Sequence, residues 1–232
     1  MKKYKAVFFD LDHTLWDFDF NSGETISELF IENNMEELGI PGADVFIAKY
    51  RDINHSMWDA YNQNLITKEN LRAGRFKMTL QHFGIPDDIS LAEKLSSEYL
   101  KRCPVKTGLF PGAIQILEYL AAKYSLHIIT NGFKEVQYIK IKNSGLSPYF
   151  ENIHISEEIG YKKPSAEIFN YAVQQSGTAH EHCVMIGDNM DTDIIGAENV
   201  GIDPVLFNPN RAASVRKVKY EIFQLEELRT IL

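Results

Sequence analysis

The sequence predicts an α/β fold: a doubly wound parallel sheet of the Rossmann-like type, with a helical bundle inserted near its start. Three observations lead to this prediction. A run of apolar and aromatic residues, Ala6–Phe9, comes directly before two acidic residues and is typical of a buried strand. The segment from about residue 17 to 103 has helical character. After it, helices and strands alternate, which indicates a parallel sheet with helices on both faces.

Composition sets the broad class of protein. The chain has 232 residues, of which 44% are hydrophobic and 24% charged, so it is globular and long enough for a large domain with an insertion. A net charge of -8 disfavours a nucleic-acid polymer or an anionic membrane as partner. No apolar run reaches the roughly 18 residues of a membrane span. Cys103 and Cys183 form no Cys-x-x-Cys pair, which favours a reduced, cytoplasmic setting.

The first strand ends in two carboxylates, Asp10 and Asp12. Residues two apart in an extended segment point to the same side, so both should face out from the carboxyl end of a central strand. In open α/β sheets this edge is where ligands bind. Two anions this close repel each other, and a metal ion or a shared proton is the usual remedy. The alternative is an ordinary Asp-rich turn after a strand.

Helical spacing predicts four consecutive helices in the insertion. The first two cover residues 24–35 and 41–64. Thr67 is placed to cap the third, and the Ser90-x-x-Glu93 pattern is that of a capping box opening the fourth. Four helices with short joints predict a small bundle.

The remainder of the chain supplies the rest of the sheet. We expect helices at 113–124, 132–144, 165–175 and 191–200, strands at 125–130, 150–156, 183–186, 204–207 and 220–223, and a C-terminal helix. The predicted domains are an α/β core of residues 1–16 and 104–232 and a helical cap of residues 17–103. We expect the cap to lie over the carboxyl edge of the sheet.

Polar side chains suited to one reaction follow four separate strands or adjoining loops. Because the carboxyl ends of parallel strands converge, these residues could meet although they are far apart in sequence. They are Asp10 and Asp12, Thr130 and Asn131, Lys163, and Asp188 and Asp193.

Hydrolysis of a phosphate monoester would use each of these residue types. Asp10 can attack phosphorus and split the reaction into two steps through an aspartyl-phosphate. Mg²⁺ held by Asp10 and Asp188 would neutralise the meeting anions. Lys163 and Thr130 can bind the phosphoryl oxygens. Asp12 can protonate the leaving group and later deprotonate water, provided that its pKa is raised.

Four ordered motifs resemble those of the haloacid dehalogenase superfamily of phosphohydrolases. They are Asp10-Leu11-Asp12-His13-Thr14-Leu15, Thr130-Asn131-Gly132, Lys163-Pro164 and Gly187-Asp188-Asn189-Met190-Asp191-Thr192-Asp193. The resemblance spans essentially the whole chain and implies that the inserted helices are a cap, hinged near residues 16–20.

The same resemblance implies a role for each motif residue. Asp10 is the nucleophile and a ligand of Mg²⁺, and Asp12 is the acid/base that lends its backbone carbonyl to the metal. Asp188 is a further ligand, while Asp193 orients a metal-bound water from the outer shell. The phosphate-binding residues are Thr130, Asn131 and Lys163.

The substrate prediction is a small phosphorylated metabolite. Trp16-Asp17-Phe18 and the Trp58-x-x-Tyr61 pattern resemble bacterial pyrimidine-type 5′-nucleotidases, which implies nucleoside 5′-monophosphates. If the aromatic residues instead pack the bundle, a sugar-phosphate phosphatase or a phosphomutase of the same superfamily is the alternative.

Two other functions use part of the same residue set. A dehalogenase needs neither Mg²⁺ nor a second acid, so the presence of Asp12 argues against it. A non-catalytic phospho-acceptor signalling module also places an Asp, a Thr and a Lys around Mg²⁺. Receiver domains of that kind are shorter and lack both the helical insertion and the late Gly-Asp-x4-Asp motif.

Overall fold

The chain folds into two compact units. The computed structural model describes residues 3–85, 89–213 and 216–232. The core unit comprises Met1–Phe18 and Thr107–Leu232, and the helical unit comprises Asp19–Lys106. The sequence-based division into a catalytic core of residues 1–16 and 104–232 and a cap of residues 17–103 stays a prediction.

The core unit is built on a parallel sheet of six strands. They are Ala6–Phe9 (β1), Ser125–Thr130 (β2), Asn152–Ile155 (β3), Cys183–Gly187 (β4), Asp203–Phe207 (β5) and Tyr220–Ile222 (β6). Their spatial order is β3-β2-β1-β4-β5-β6, with Val7 aligned to Leu126 on one side and to Val184 on the other. The chain fills one half of the sheet and then the other, so the switch point lies between β1 and β4. Ligands of such sheets bind outside the carboxyl ends of the strands at this point.

In the residues that the structure describes, the insertion forms four helices, Phe18–Glu32 (α1), Ala43–Asn62 (α2), Lys68–His82 (α3) and Ile89–Arg102 (α4). The Thr67 hydroxyl accepts a hydrogen bond from the Asn70 N–H at 3.2 Å, which confirms the predicted cap of α3. The predicted capping box is wrong, because α4 already begins at Ile89 and Ser90 lies in its first turn.

Helix α1 begins six residues before the predicted start at residue 24. After the buried Phe18, its early turns bury three polar side chains, Asn21, Ser22 and Thr25. Hydrophobic periodicity therefore did not reveal them. Aromatic rings also pack inside the unit: the Tyr50 ring lies 4.8 Å from that of Phe76.

Five helices flank the sheet: Ala113–Ala121 (α5), Lys134–Asn143 (α6), Ser156–Ile159 (α7), Ala166–Ser176 (α8) and Ile195–Asn199 (α9). A buried apolar cluster joins one face of the sheet to α8 and α9, and it includes Phe8, Ile129, Phe169 and Ala197. The predicted doubly wound α/β fold with a helical insertion is confirmed. In the part of the chain that the structure describes, no helix is both long and apolar enough to cross a membrane.

Two predicted helices have different local structure. Residues 191–200 were expected to form one helix, but a π-helical turn, Met190–Ile194, precedes the short α9. The Asn189 side chain accepts hydrogen bonds from the N–H groups of Asp191 and Thr192 and so caps this turn. The predicted C-terminal helix is a 3₁₀ segment, Leu225–Thr230.

Candidate active site

Three carboxylates and one lysine meet at the carboxyl end of the sheet. Asp10 follows β1, Asp188 follows β4, and Asp193 lies in the π-helical turn. One carboxylate oxygen from each lies within 4.8 Å of the others. The Lys163 ammonium donates to Asp10 Oδ1 at 2.6 Å and pairs with Asp193 Oδ1 at 2.7 Å. The structure therefore brings together four of the seven predicted site residues.

The cluster carries more negative charge than its lysine can balance. Burial raises the pKa of Asp10 to about 8, with like-charge repulsion from Asp193 adding to the effect and Lys163 opposing it. Burial and the Asp193 charge likewise raise the pKa of Asp188 to about 8. Burial alone would lower the pKa of Lys163, but its two aspartate partners raise it overall. A buried, all-oxygen donor set with surplus negative charge fits a hard divalent cation such as Mg²⁺.

Asn131 positions Lys163. Its amide nitrogen donates to the Lys163 carbonyl at 2.9 Å, and its amide oxygen accepts from the Lys163 N–H at 2.8 Å. Both polar ends of the side chain are thus engaged by the lysine backbone. The predicted contact between Asn131 and phosphate stays a prediction and would fall to other atoms of the residue.

Asp12 has a different set of partners from Asp10. Its Oδ2 accepts from Gln137 Nε2 at 2.7 Å, and its Oδ1 accepts from Lys140 Nζ at 2.5 Å. Burial alone would raise the pKa of Asp12, but the Lys140 charge and both hydrogen bonds outweigh it and hold the pKa below its usual range. The expectation of a raised pKa at Asp12 is therefore wrong for this structure.

Thr130 and two glycines shape the space around these groups. The Thr130 hydroxyl accepts from the Gly132 N–H at 3.0 Å. A Cβ at Gly132 would lie 1.5 Å from Gln137 Nε2, and a Cβ at Gly187 would lie 2.2 Å from Asp193 Oδ2. A larger residue at either position would displace a side chain of the site.

Sequence reasoning missed three residues at this edge. Thr14 donates its hydroxyl to Asp188 Oδ1 at 3.2 Å, while Gln137 and Lys140 hold Asp12. The available signal was the pair of long polar side chains three apart on the helix that follows the Thr130-Asn131-Gly132 motif. Both are buried, at 1% and 4% exposure.

The aromatic residues considered for substrate stacking differ in exposure. Trp16 is fully buried, with the Lys140 ammonium 4.0 Å from its ring centroid, and the Phe18 ring lies 4.9 Å from that of His13. Trp58 packs edge-on to Tyr61 at 5.6 Å. Phe20 retains 54% exposure.

Three features define the class of protein: a Rossmann-like sheet, helices inserted after its first strand, and carboxylates paired with a lysine at the switch point. They are those of α/β enzymes with an inserted helical domain. A family profile described as haloacid dehalogenase-like hydrolase matches residues 4–201. The chain belongs to this family.

Individual relatives match along nearly the whole chain. The HAD-hydrolase YfnB of Bacillus subtilis (strain 168) is 33% identical over 100% of this chain and 97% of YfnB. The crystal structure of magnesium-bound YfnB has a TM-score of 0.87 at 32% identity, covering 100% of this chain and 99% of that one. The pyrimidine 5′-nucleotidase PynA of Streptococcus pneumoniae is 31% identical over 97% of this chain and 93% of PynA. The pyrimidine 5′-nucleotidase YjjG of Escherichia coli (strain K12) is 28% identical over 99% of this chain and 98% of YjjG.

The prediction of a phosphoric monoester hydrolase is confirmed by the family and by the names of its members. Nucleotidases and sugar-phosphate phosphatases both occur among the relatives. The recognised resemblance to the haloacid dehalogenase superfamily, and within it to pyrimidine-type 5′-nucleotidases, is likewise confirmed.

Proposed function

We propose that this protein is a Mg²⁺-dependent phosphatase of nucleoside 5′-monophosphates that works through an aspartyl-phosphate on Asp10. The observation that carries the proposal is the buried carboxylate cluster at the switch point, in which the Lys163 ammonium lies 2.6 Å from Asp10. A nucleophile beside a fixed positive charge is the arrangement needed to bring one anion to another.

In the first step, an Asp10 carboxylate oxygen attacks phosphorus and the ester P–O bond breaks. The electron pair of that bond goes to the leaving oxygen, which takes a proton from the carboxyl group of Asp12. Because Lys140 and Gln137 hold the pKa of Asp12 low, Asp12 has to take up this proton when the anionic phosphate binds beside it. Lys163 and Thr130 bind the phosphoryl oxygens, and Asn131 keeps Lys163 in place through its backbone.

In the second step, water attacks the phosphorus of the aspartyl-phosphate. Asp12, now ionised, takes the proton of that water. The bond between phosphorus and the Asp10 oxygen breaks, inorganic phosphate leaves, and both aspartates return to their starting states.

Asp10, Asp188 and the backbone carbonyl of Asp12 are the proposed ligands of the cation, with Asp193 in the outer shell. When bound, Mg²⁺ supplies charge neutralisation for the carboxylates and the phosphoryl oxygens. The surplus negative charge and the raised pKa values of Asp10 and Asp188 support this assignment.

Nucleotides are favoured by the relatives and by the aromatic residues. PynA and YjjG, both named pyrimidine 5′-nucleotidases, match over almost the full chain. A base stacked on an aromatic ring gains about 1–3 kcal/mol, which corresponds to roughly 5- to 150-fold in affinity. The exposed Phe20 and the half-buried Trp58 are the proposed stacking residues. Sugar phosphates are the second candidate, because glyceraldehyde 3-phosphate phosphatases are also among the relatives.

The test is phosphate release from a substrate panel with and without Mg²⁺. We expect kcat/KM for UMP, dUMP and dTMP to exceed that for glucose 6-phosphate and glycerol phosphate, and we expect EDTA to abolish all turnover. Phe20→Ala or Trp58→Ala should reduce kcat/KM for the nucleotides alone. Sugar phosphates ranking first would overturn the nucleotidase assignment. Isomerisation of a sugar phosphate without phosphate release would indicate a mutase, and no turnover at all would favour a signalling module.

A further inference from the structure

The Asp12 carboxylate is held at both of its oxygens by one helix. Lys140 Nζ and Gln137 Nε2 donate to Oδ1 and Oδ2 at 2.5 and 2.7 Å, and both donors lie on α6, three residues apart. Side chains at this spacing lie on the same face of a helix, so α6 presents them as a pair. A carboxylate held at both oxygens by separate donors has its plane fixed.

The Lys140 side chain is buried and is restricted to its contact with Asp12. It is 4% exposed, and its ammonium lies 4.0 Å from the centre of the Trp16 ring and 5.5 Å from that of Phe18. Among the described residues, Asp12 supplies its one carboxylate within 4.0 Å. A buried ammonium is costly without a paired anion, so this side chain is committed to Asp12.

Gln137 connects Asp12 to the phosphate-binding motif. Its Nε2 also lies 3.3 Å from the Thr130 hydroxyl oxygen, which it can share with Asp12 as an acceptor. Its buried Oε1 has no hydrogen-bond partner among the described residues, so the contacts of this amide are made by its donor end. The missing Cβ of Gly132 provides the space for this amide.

We propose that Lys140 and Gln137 are positioning residues that orient the Asp12 carboxyl group for proton transfer to the leaving oxygen; this rests on the function proposed above. Neither touches the phosphoryl group in the proposed mechanism; Lys140 acts through Asp12, and Gln137 acts through Asp12 and also contacts Thr130. When one of its two hydrogen-bond donors is removed, the Asp12 carboxyl group rotates away from the orientation that faces the leaving oxygen. Misplacement by about 1 Å can reduce a rate by roughly a hundredfold.

The leaving group distinguishes this role from general structural support. An alkoxide leaves only if it is protonated, whereas p-nitrophenolate leaves readily as an anion. Because kcat/KM reports events up to the first irreversible step, it senses leaving-group protonation without the later attack of water. We expect Lys140→Met to lower kcat/KM for UMP at least about tenfold more than for p-nitrophenyl phosphate.

The matched control is Lys142→Met, an exposed lysine on the same helix, which should leave both substrates unaffected. Lys140→Arg should restore part of the loss on UMP. Adding Lys140→Met to Asp12→Asn should cause no further loss of kcat/KM for UMP, because the carboxyl group that Lys140 positions is already absent.

Equal losses on the two substrates, or a full additional loss in the double variant, would overturn the inference. If Lys140→Met does not fold, as judged by thermal unfolding, Gln137→Leu carries the same comparison. A wild-type protein that releases phosphate from neither ester would instead refute the proposed function, so the two failures are distinguishable.

Discussion

Two buried histidines should make the core unit unstable in mild acid. His127 on β2 and His154 on β3 are 0% and 4% exposed, and their rings lie 5.9 Å apart. The Nε2 atom of each has no hydrogen-bond partner among the described residues. Burial lowers the pKa of both imidazoles to about 4, and the charge of His127 adds to the effect on His154. Both are therefore neutral in the folded protein at neutral pH.

The size of the effect follows from proton linkage. An imidazole in the unfolded chain has a pKa near 6.5, so the unfolded state binds more protons than the folded state between pH 6.5 and about 4. The two neutral histidines therefore contribute their full stabilisation above pH 6.5, and the free energy of unfolding falls as the pH is lowered through this window. At pH 5 the loss is about 2 kcal/mol for each histidine. This is a large share of the stability of a typical domain.

The assay is urea denaturation at about pH 7.5 and about pH 5, in the wild type and in the double variant His127→Leu/His154→Leu. Leucine has a similar volume and stays neutral at both pH values. The wild type should lose about 4 kcal/mol more than the double variant between the two conditions. Other titrating groups are common to both proteins and cancel in the difference. His55→Leu, which removes a ring that is 76% exposed, should behave as the wild type. An equal pH dependence in wild type and double variant would refute the reasoning.

Further predictions concern the catalytic cluster. Asp10→Asn should abolish Mg²⁺-dependent turnover, since an amide is neither an anionic nucleophile nor a good ligand; activity within tenfold of the wild type would remove Asp10 from that role. Asp12→Asn should lower kcat by roughly 10²–10⁴-fold while leaving the affinity for a trigonal phosphate mimic nearly unchanged, and unaltered kcat would contradict its assignment as acid/base. Gly187→Ala should displace Asp193, lowering stability by about 1–3 kcal/mol and reducing turnover, because the new methyl carbon would lie 2.2 Å from Asp193 Oδ2. Gly23→Ala, whose methyl meets its nearest neighbour at 3.5 Å, is the control, and equal effects of the two substitutions would count against the clash.

The family and the parallel sheet could be predicted from the sequence because both depend on local patterns. Strand β2 runs over Ser125–Thr130 as predicted, since a short segment with β-branched residues that ends at Asn131-Gly132 favours a strand. The motif residues follow strands, and the carboxyl ends of parallel strands share one edge. The meeting of Asp10, Lys163 and Asp188 therefore needed only the strand order, which the right-handed crossover rule restricts to few choices.

What the tertiary structure alone decided is which partner each site residue takes. Asp12 is held by Lys140, 128 positions further along the chain, and Asn131 is engaged by the backbone of Lys163. The Asp12 pairing depends on the rotation of α6 about its axis and on its distance from β1, and the Asn131 pairing depends on the path of the loop that carries Lys163. Neither leaves a periodic signal in the sequence. The reversal of the expected pKa shift at Asp12 has the same origin. Electrostatic energies vary steeply with separation and burial, and those quantities are set only when the elements pack.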